Sequence, residues 1–250
     1  MTVPSPAAHV GLCSVTYRAL SAEELVDLAA EAGLGVIEWG ADVHVPPGDT
    51  EATRRAREST HTAGLATCSY GSYWCAGRDS SESFATVAAT AQGLGARRVR
   101  VWAGTQGSAT ARDRASVARA LREAGDIAAA HGLQVATEFH GGTLTDTAAS
   151  TLRLLDEVGH GAVSTYWQPP LDEPDDVALA GLRDLRDRVA AVHVFSWSPL
   201  MDRLPLTGRE ALWRGALELL LPVDLLLEFV PGDDPAVLGQ EAATLRSWLP

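Results

Sequence analysis

Eight short runs of β-favouring residues alternate with helix-patterned segments along the whole chain, and no other feature limits the fold as strongly. The runs are 9–15 (HVGLCSV), 36–40, 65–71, 97–104, 133–140, 162–168, 189–197 and 223–230. Helices are expected over 21–33, 50–63, 80–94, about 110–131, 146–158, 174–188, 207–220 and 235–248, from apolar stripes at helical spacing. In the first helix Ser21 can cap, Glu24 follows three residues on, and Leu25, Leu28, Ala29 and Ala32 share a face. Successive runs are roughly 30 residues apart, the length of one βα unit. Eight such units predict an α/β chain closed as a (β/α)8 TIM barrel, a single domain over 1–250. A doubly wound open sheet is the alternative. Its dinucleotide-binding form is weakened because no GxGxxG follows the first strand.

Composition narrows the function. Hydrophobic residues make up 46% of the 250, enough for the large core of a one-domain barrel. All 20 basic side chains are arginine, yet the net charge is −12 and the longest basic stretch is Arg54-Arg55-Ala56-Arg57. Nucleic-acid binding needs a basic face, so it is not expected. Cys13, Cys68 and Cys75 are odd in number and lack CxxC spacing, which argues against a disulfide framework or a zinc knuckle. The first residues show no charged and apolar leader, and no run reaches the roughly 18 apolar residues of a membrane span. The expectation is a cytoplasmic protein with a small-molecule substrate and no membrane partner. Assembly into a homo-oligomer is left open.

In a barrel of this kind chemistry comes from the C-terminal ends of the strands and the loops that follow. The second strand supplies Glu38 and its loop His44; the third supplies Tyr70, with Tyr73 and Trp74 beyond; the fourth supplies Trp102. Strands five to eight each end on one donor: Glu138, Gln168, His193 and Glu228. Adjacent strands lie about 4.8 Å apart, so four such positions can converge on one ion. Glu228 sits in the apolar run LLLEFV, where an unpaired carboxylate is costly to bury and a cation offsets that cost. Three oxygens and one nitrogen suit a divalent metal ion: Mn, Mg, Co or Zn. Two glutamates with neutral Gln and His balance a doubly charged ion. The alternative partner for the glutamates is a proton or an arginine. His140 shares the parity of Glu138 and is a candidate for proton transfer. Tyr70, Trp102 and Trp197 are candidate walls of an apolar pocket. His44 and Arg203 are candidate substrate contacts from the loops.

The opening segment GLCSVTYRALSAEELVDLAAEAGLGVIEWG (11–40) and the strand ends ATEFH, VHVF and LLLEF resemble the xylose-isomerase-like TIM-barrel superfamily of sugar and sugar-phosphate isomerases and epimerases. The resemblance spans nearly the whole chain. It implies a metal held by Glu, Asp, His and Glu from strands five to eight, which fall on Glu138, Gln168, His193 and Glu228. The chain departs from that pattern at Gln168, which replaces the Asp. Leu171, Ser196 and Pro199 stand where relatives carry a His, an Asp and a substrate-binding Arg. The resemblance implies an isomerase or epimerase acting on a sugar, polyol or hydroxyketone by proton abstraction beside a carbonyl. Glu138 and Glu228 are the catalytic pair, with His140 beside them. A lyase or dehydratase of a cyclic polyol or secondary-metabolite intermediate would use the same enolate chemistry. A metal-free binding protein would account for Gln168. Phosphodiester cleavage, which apurinic-site endonucleases perform on the same barrel, calls for more His and Asp ligands than this acidic chain offers.

Overall fold

A computed structural model describes residues 10–220 and 222–249. His9, the expected first residue of the first strand, and the N-terminal stretch read for a leader lie outside them. Eight parallel strands close a barrel, each beside the next along the chain and the last beside the first. They are β1 (Val10–Cys13), β2 (Val36–Gly40), β3 (Ala66–Cys75), β4 (Arg98–Trp102), β5 (Gln134–Thr137), β6 (Val163–Trp167), β7 (Val189–Val194) and β10 (Asp224–Leu227). The helices are α1 (Ala22–Glu31), α2 (Thr50–Thr62), α3 (Ser81–Leu94), α4 (Arg114–Ala130), α5 (Ala148–Val158), α6 (Asp175–Leu185), α7 (Glu210–Leu219) and α8 (Leu238–Ser247). Closure rests on β1 pairing with both β2 and β10, Leu12 standing opposite Ile37 on one side and Leu227 on the other. That closure rules out the open doubly wound sheet. Among the described residues no helix is long and apolar enough to cross a membrane.

Local chemistry sets the element ends. Ser21 and Glu24 form the expected capping box at the start of α1, each side chain bonded to the other's backbone N–H. Gly33 follows at φ 69°, a conformation that costs a residue without Cβ nothing. β6 stops at Trp167, since Pro169 and Pro170 bring no N–H to a ladder.

Two expectations need correction. The third run was expected to end at residue 71, yet β3 continues to Cys75, resuming its pairing at Cys75–Trp102 after a register shift beyond Gly71. The seventh run was expected as one strand to 197. Instead β7 ends at Val194, and Ser196–Trp197 (β8) leaves the barrel to pair antiparallel with Arg203–Leu204 (β9). Alternation alone does not distinguish a barrel strand from a hairpin that continues it.

Apolar side chains form two separate clusters. The larger fills the layer between strands and helices and includes Leu25, Phe84, Leu121, Leu154, Leu182 and Trp213. The smaller lies inside the barrel: Val36, Cys68, Ala136, Tyr166, Ala191 and Leu226. Side chains two residues apart on a strand share a face. The layer above this inner plug therefore consists of Glu38, Glu138, Gln168, His193 and Glu228. Below it, Asp224 accepts from Arg98 Nη1 at 2.8 Å and Arg97 Nη2 at 3.0 Å, closing the N-terminal mouth with charge pairs.

Candidate active site

The polar layer forms the floor of a cavity of about 510 Å³ at the C-terminal end of the barrel. Arg100, Glu138, Gln168 and Glu228 face it from below, and Trp102, His140, Phe195, Trp197 and Phe229 form much of its wall. The aromatic groups pack on one another. His140 stacks on Trp102 with centroids 5.0 Å apart, and Trp197 lies between Phe195 at 4.8 Å and Phe229 at 5.2 Å. Phe229 holds φ 48°, a left-handed conformation that a bulky residue rarely adopts, and its N–H is taken by Thr16 Oγ1.

Three of the four expected ligands meet directly. His193 Nδ1 lies 3.0 Å from Gln168 Oε1 and 3.3 Å from Glu228 Oε2. The other ring nitrogen, Nε2, is 3.2 Å from Glu38 Oε1. All three neighbours are oxygen acceptors, so the ring is surrounded by groups that favour its doubly protonated form. Burial alone would lower the His193 pKa, but Glu228 and Glu38 outweigh it and raise it above 6.5. Burial also raises Glu228, against the pull of His193.

Glu138 has different company. Its Oε2 is paired with the Arg100 guanidinium and accepts from Trp102 Nε1 at 2.8 Å. Its Oε1 has no hydrogen bond among the described residues. Arg100 was not among the candidates read from sequence, whereas Glu38 was, from the second strand. Arg100 Nε donates to Glu38 Oε1 at 3.0 Å, while Glu38 Oε2 accepts from Ser69 Oγ at 2.8 Å and Tyr166 OH at 2.7 Å. Burial pushes Glu38 up, yet Arg100, His193 and Tyr166 together hold it well below the ordinary carboxylate range. The signal for Arg100 was present in RVRVW, where strand parity puts Arg98, Arg100 and Trp102 on the barrel side.

The other candidates separate by position. Trp102, Trp197 and His140 line the cavity. The His140 Nδ1–H donates to the Gly141 carbonyl at 2.6 Å, leaving Nε2 as the acceptor. His44, Tyr70 and Arg203 do not line it. His44 Nε2 bonds the Leu20 carbonyl and its ring meets Trp39 edge-on. Tyr70 is fully buried and donates to the Val45 carbonyl at 2.7 Å. Arg203 pairs with Asp233 and lies over the rings of Phe229 and Trp197, behind the wall.

Two groups of donors could hold a metal ion. Cys13, Glu38 and His193 form a fully buried set whose ligand atoms lie within 4.8 Å of one another. In that set Glu38 is already saturated by Arg100, Ser69 and Tyr166, and burial, with Glu38 and Glu228 alongside, pushes the Cys13 thiol well up. Gln168, His193 and Glu228 form the second set, in which Gln168 and Glu228 face the cavity and His193 lies buried against both. Their separations of 3.0 and 3.3 Å match the roughly 3 Å between neighbouring donors about 2.1 Å from a six-coordinate ion. Charge agrees: the floor carries three carboxylates, Glu38, Glu138 and Glu228, against one guanidinium, Arg100. With His193 neutral the excess is that of one divalent cation. The second set therefore fits a hard divalent ion, and the first is the poorer host.

A closed parallel barrel with polar side chains gathered at the C-terminal ends of its strands is the TIM-barrel arrangement. Residues 26–199 match the family described as xylose isomerase-like TIM barrel, and the chain belongs to that family. No curated protein matches the sequence. Among solved structures, the chain is similar to the probable 3-DHS dehydratase AsbF of Bacillus anthracis, with TM-score 0.79 and 20% identity over 96% of this chain and 98% of that one. It is also similar to D-allulose 3-epimerase from Methylomonas sp., with TM-score 0.75 and 16% identity over the full length of both. A third likeness is to a xylose isomerase-like TIM barrel protein from Mycobacterium smegmatis in complex with magnesium, with TM-score 0.72 and 16% identity over 98% of each. At these identities the likenesses establish the fold.

Proposed function

We propose that this protein is a divalent-metal-dependent isomerase or epimerase acting on a sugar, polyol or related hydroxyketone. One observation carries the reading. Glu138, Gln168 and Glu228 face one cavity from the ends of neighbouring strands, and His193 is buried beneath it against Gln168 and Glu228. Gln168, His193 and Glu228 would hold the ion, with Glu138 beside them as the fourth member of the family pattern. When bound, the ion polarises the substrate carbonyl and makes the adjacent carbon more acidic.

The remaining work falls to this chain's own side chains. Glu138 takes the proton from the carbon beside the carbonyl: Oε2 is anchored by Arg100 and Trp102, and Oε1 is left for substrate. Return of a proton falls to Glu228, the second carboxyl that faces the cavity. His140 presents Nε2 as an acceptor for a substrate hydroxyl, its tautomer fixed by Gly141. Trp102, Trp197 and Phe229 exclude water and offer flat apolar faces to the carbon skeleton. The same residues serve a dehydratase when a hydroxyl β to the carbonyl leaves after the proton is lost. The aromatic wall and the likeness to AsbF favour keeping that second reading.

The test is incubation with a panel of ketoses, cyclic polyols and hydroxyketones in D₂O, with and without Mg²⁺ or Mn²⁺. Metal-dependent deuterium uptake at the carbon beside the carbonyl, with no other mass change, supports isomerisation. Loss of water supports dehydration. Absence of exchange for every substrate, with metal occupancy verified, refutes both.

A further inference from the structure

We propose that Arg100 is a resident cation that sets the metal affinity of the floor. This rests on the metal reading above but is separable from it. Arg100 rises from the middle of β4, is 3% exposed, and bridges Glu38 through Nε and Glu138 through Nη1. The guanidinium is planar and cannot lose its proton, so its charge is permanent. Its seat is built by an absence: a Cβ on Gly71 would come within 2.8 Å of Nη2 and 2.9 Å of Glu38 Oε1. Gly71 does not adopt a positive φ, so the reason for glycine there is room for this ion pair.

Two consequences follow. Arg100 cancels one of three buried carboxylates, leaving an excess that one divalent ion neutralises. Without it, the floor would carry a third uncompensated negative charge and attract a cation more strongly. Second, Arg100 and Trp102 both bind Oε2 of Glu138, so that oxygen is not free for a metal. Glu138 is left to meet an ion or a substrate through Oε1 alone.

The experiment is calorimetric titration of Mn²⁺ into metal-free wild type, Arg100→Met and Arg100→Lys, with folding checked by circular dichroism. Arg100→Met is expected to bind at least about tenfold more tightly, or to take a second ion, while Arg100→Lys, which keeps the charge, stays within about threefold of wild type. Damage to the fold would loosen binding, so tightening is specific to the charge. Equal or weaker binding by folded Arg100→Met, beside a wild type that binds, overturns the assignment and leaves the metal reading standing. Binding by Arg100→Met alone supports the assignment and overturns the metal reading of the wild type. Binding by neither overturns both. Should Arg100→Met not fold, Glu38→Gln reads the same balance from the other side. It is expected to bind at least about tenfold more weakly, and unchanged affinity overturns the proposal.

Discussion

Gly71→Ala tests whether the centre is built as tightly as its geometry requires. The added methyl would meet Arg100 Nη2 at 2.8 Å, Glu38 Oε1 at 2.9 Å and Glu38 Cδ at 3.3 Å. Contacts under 3 Å are relieved cheaply only when the neighbour can swing away. Here it cannot: Arg100 and Glu38 are buried, bonded to each other, and bonded further to Glu138, Ser69 and Tyr166. Overpacking of this kind costs about 1–3 kcal/mol, and partial loss of a buried charged hydrogen bond lies in the same range. We expect a loss of about 2 kcal/mol, or a drop in Tm of roughly 4–8 °C for a domain of this length. The assay is urea unfolding followed by circular dichroism at pH 7 in EDTA. Gly161→Ala is the control, since a Cβ there meets nothing within 4 Å, and it should stay within about 0.5 kcal/mol of wild type. Repeating Gly71→Ala in an Arg100→Met background removes the Nη2 contact and the guanidinium that anchors Glu38, so the cost should shrink by about 1 kcal/mol or more. A Gly71→Ala loss below about 0.5 kcal/mol, or full additivity with Arg100→Met, would refute the steric account.

Gln168→Glu places an anionic oxygen where the neutral one lies 3.0 Å from His193 Nδ1, and should tighten Mn²⁺ binding by about tenfold or more in calorimetry. Unchanged affinity would show that residue 168 is not a ligand. Tyr166→Phe removes the 2.7 Å donor to Glu38 without changing shape, and should cost about 1–3 kcal/mol in urea unfolding. A neutral effect would mean that Glu38 is satisfied without it. The folded pKa of His193 is raised above 6.5, so its stabilisation is complete below pH 6.5 and is lost as pH rises through the folded value. The Tm of metal-free protein should therefore fall from pH 6 towards pH 9, and His193→Gln should flatten that slope; an unaltered slope assigns it to another group. Glu38 acts in the opposite sense: its folded pKa is depressed, so its contribution holds above about pH 4.5 and disappears as pH falls through the folded value. Glu38→Gln should reduce the acid-side loss of Tm, and an equal loss in the variant would place its cause elsewhere.

The fold was legible because its cause is periodic. Each strand must bury both faces and each helix one, and that requirement repeats eight times along the sequence. The same alternation reached the floor of the site, since Val36, Ala136, Tyr166, Ala191 and Leu226 in the plug are each followed two residues later by a polar side chain. The partners of those side chains were harder to read. Glu138 and Glu228 occupy equivalent strand ends, yet one is bound by Arg100 and Trp102 and the other by His193, and which cation serves which carboxylate depends on reach across the barrel. His44 and Arg203 followed strands as expected but turned to a backbone carbonyl and to Asp233, because loop direction is fixed by packing that strand parity does not encode; Tyr70 lies within β3, where a register shift puts Ser69 against Glu38 and leaves Tyr70 bonded to the Val45 carbonyl. Gln168 is explained by the same charge accounting. With Glu38 and Glu138 already paired to Arg100, and Glu228 to His193, a carboxylate at 168 would add a further negative charge beside Glu228. A neutral donor there keeps a carbonyl oxygen at the cavity while sparing the metal-free barrel that repulsion. Arg100 and Gln168 are thus two parts of one electrostatic solution, the first adding a positive charge and the second leaving out a negative one.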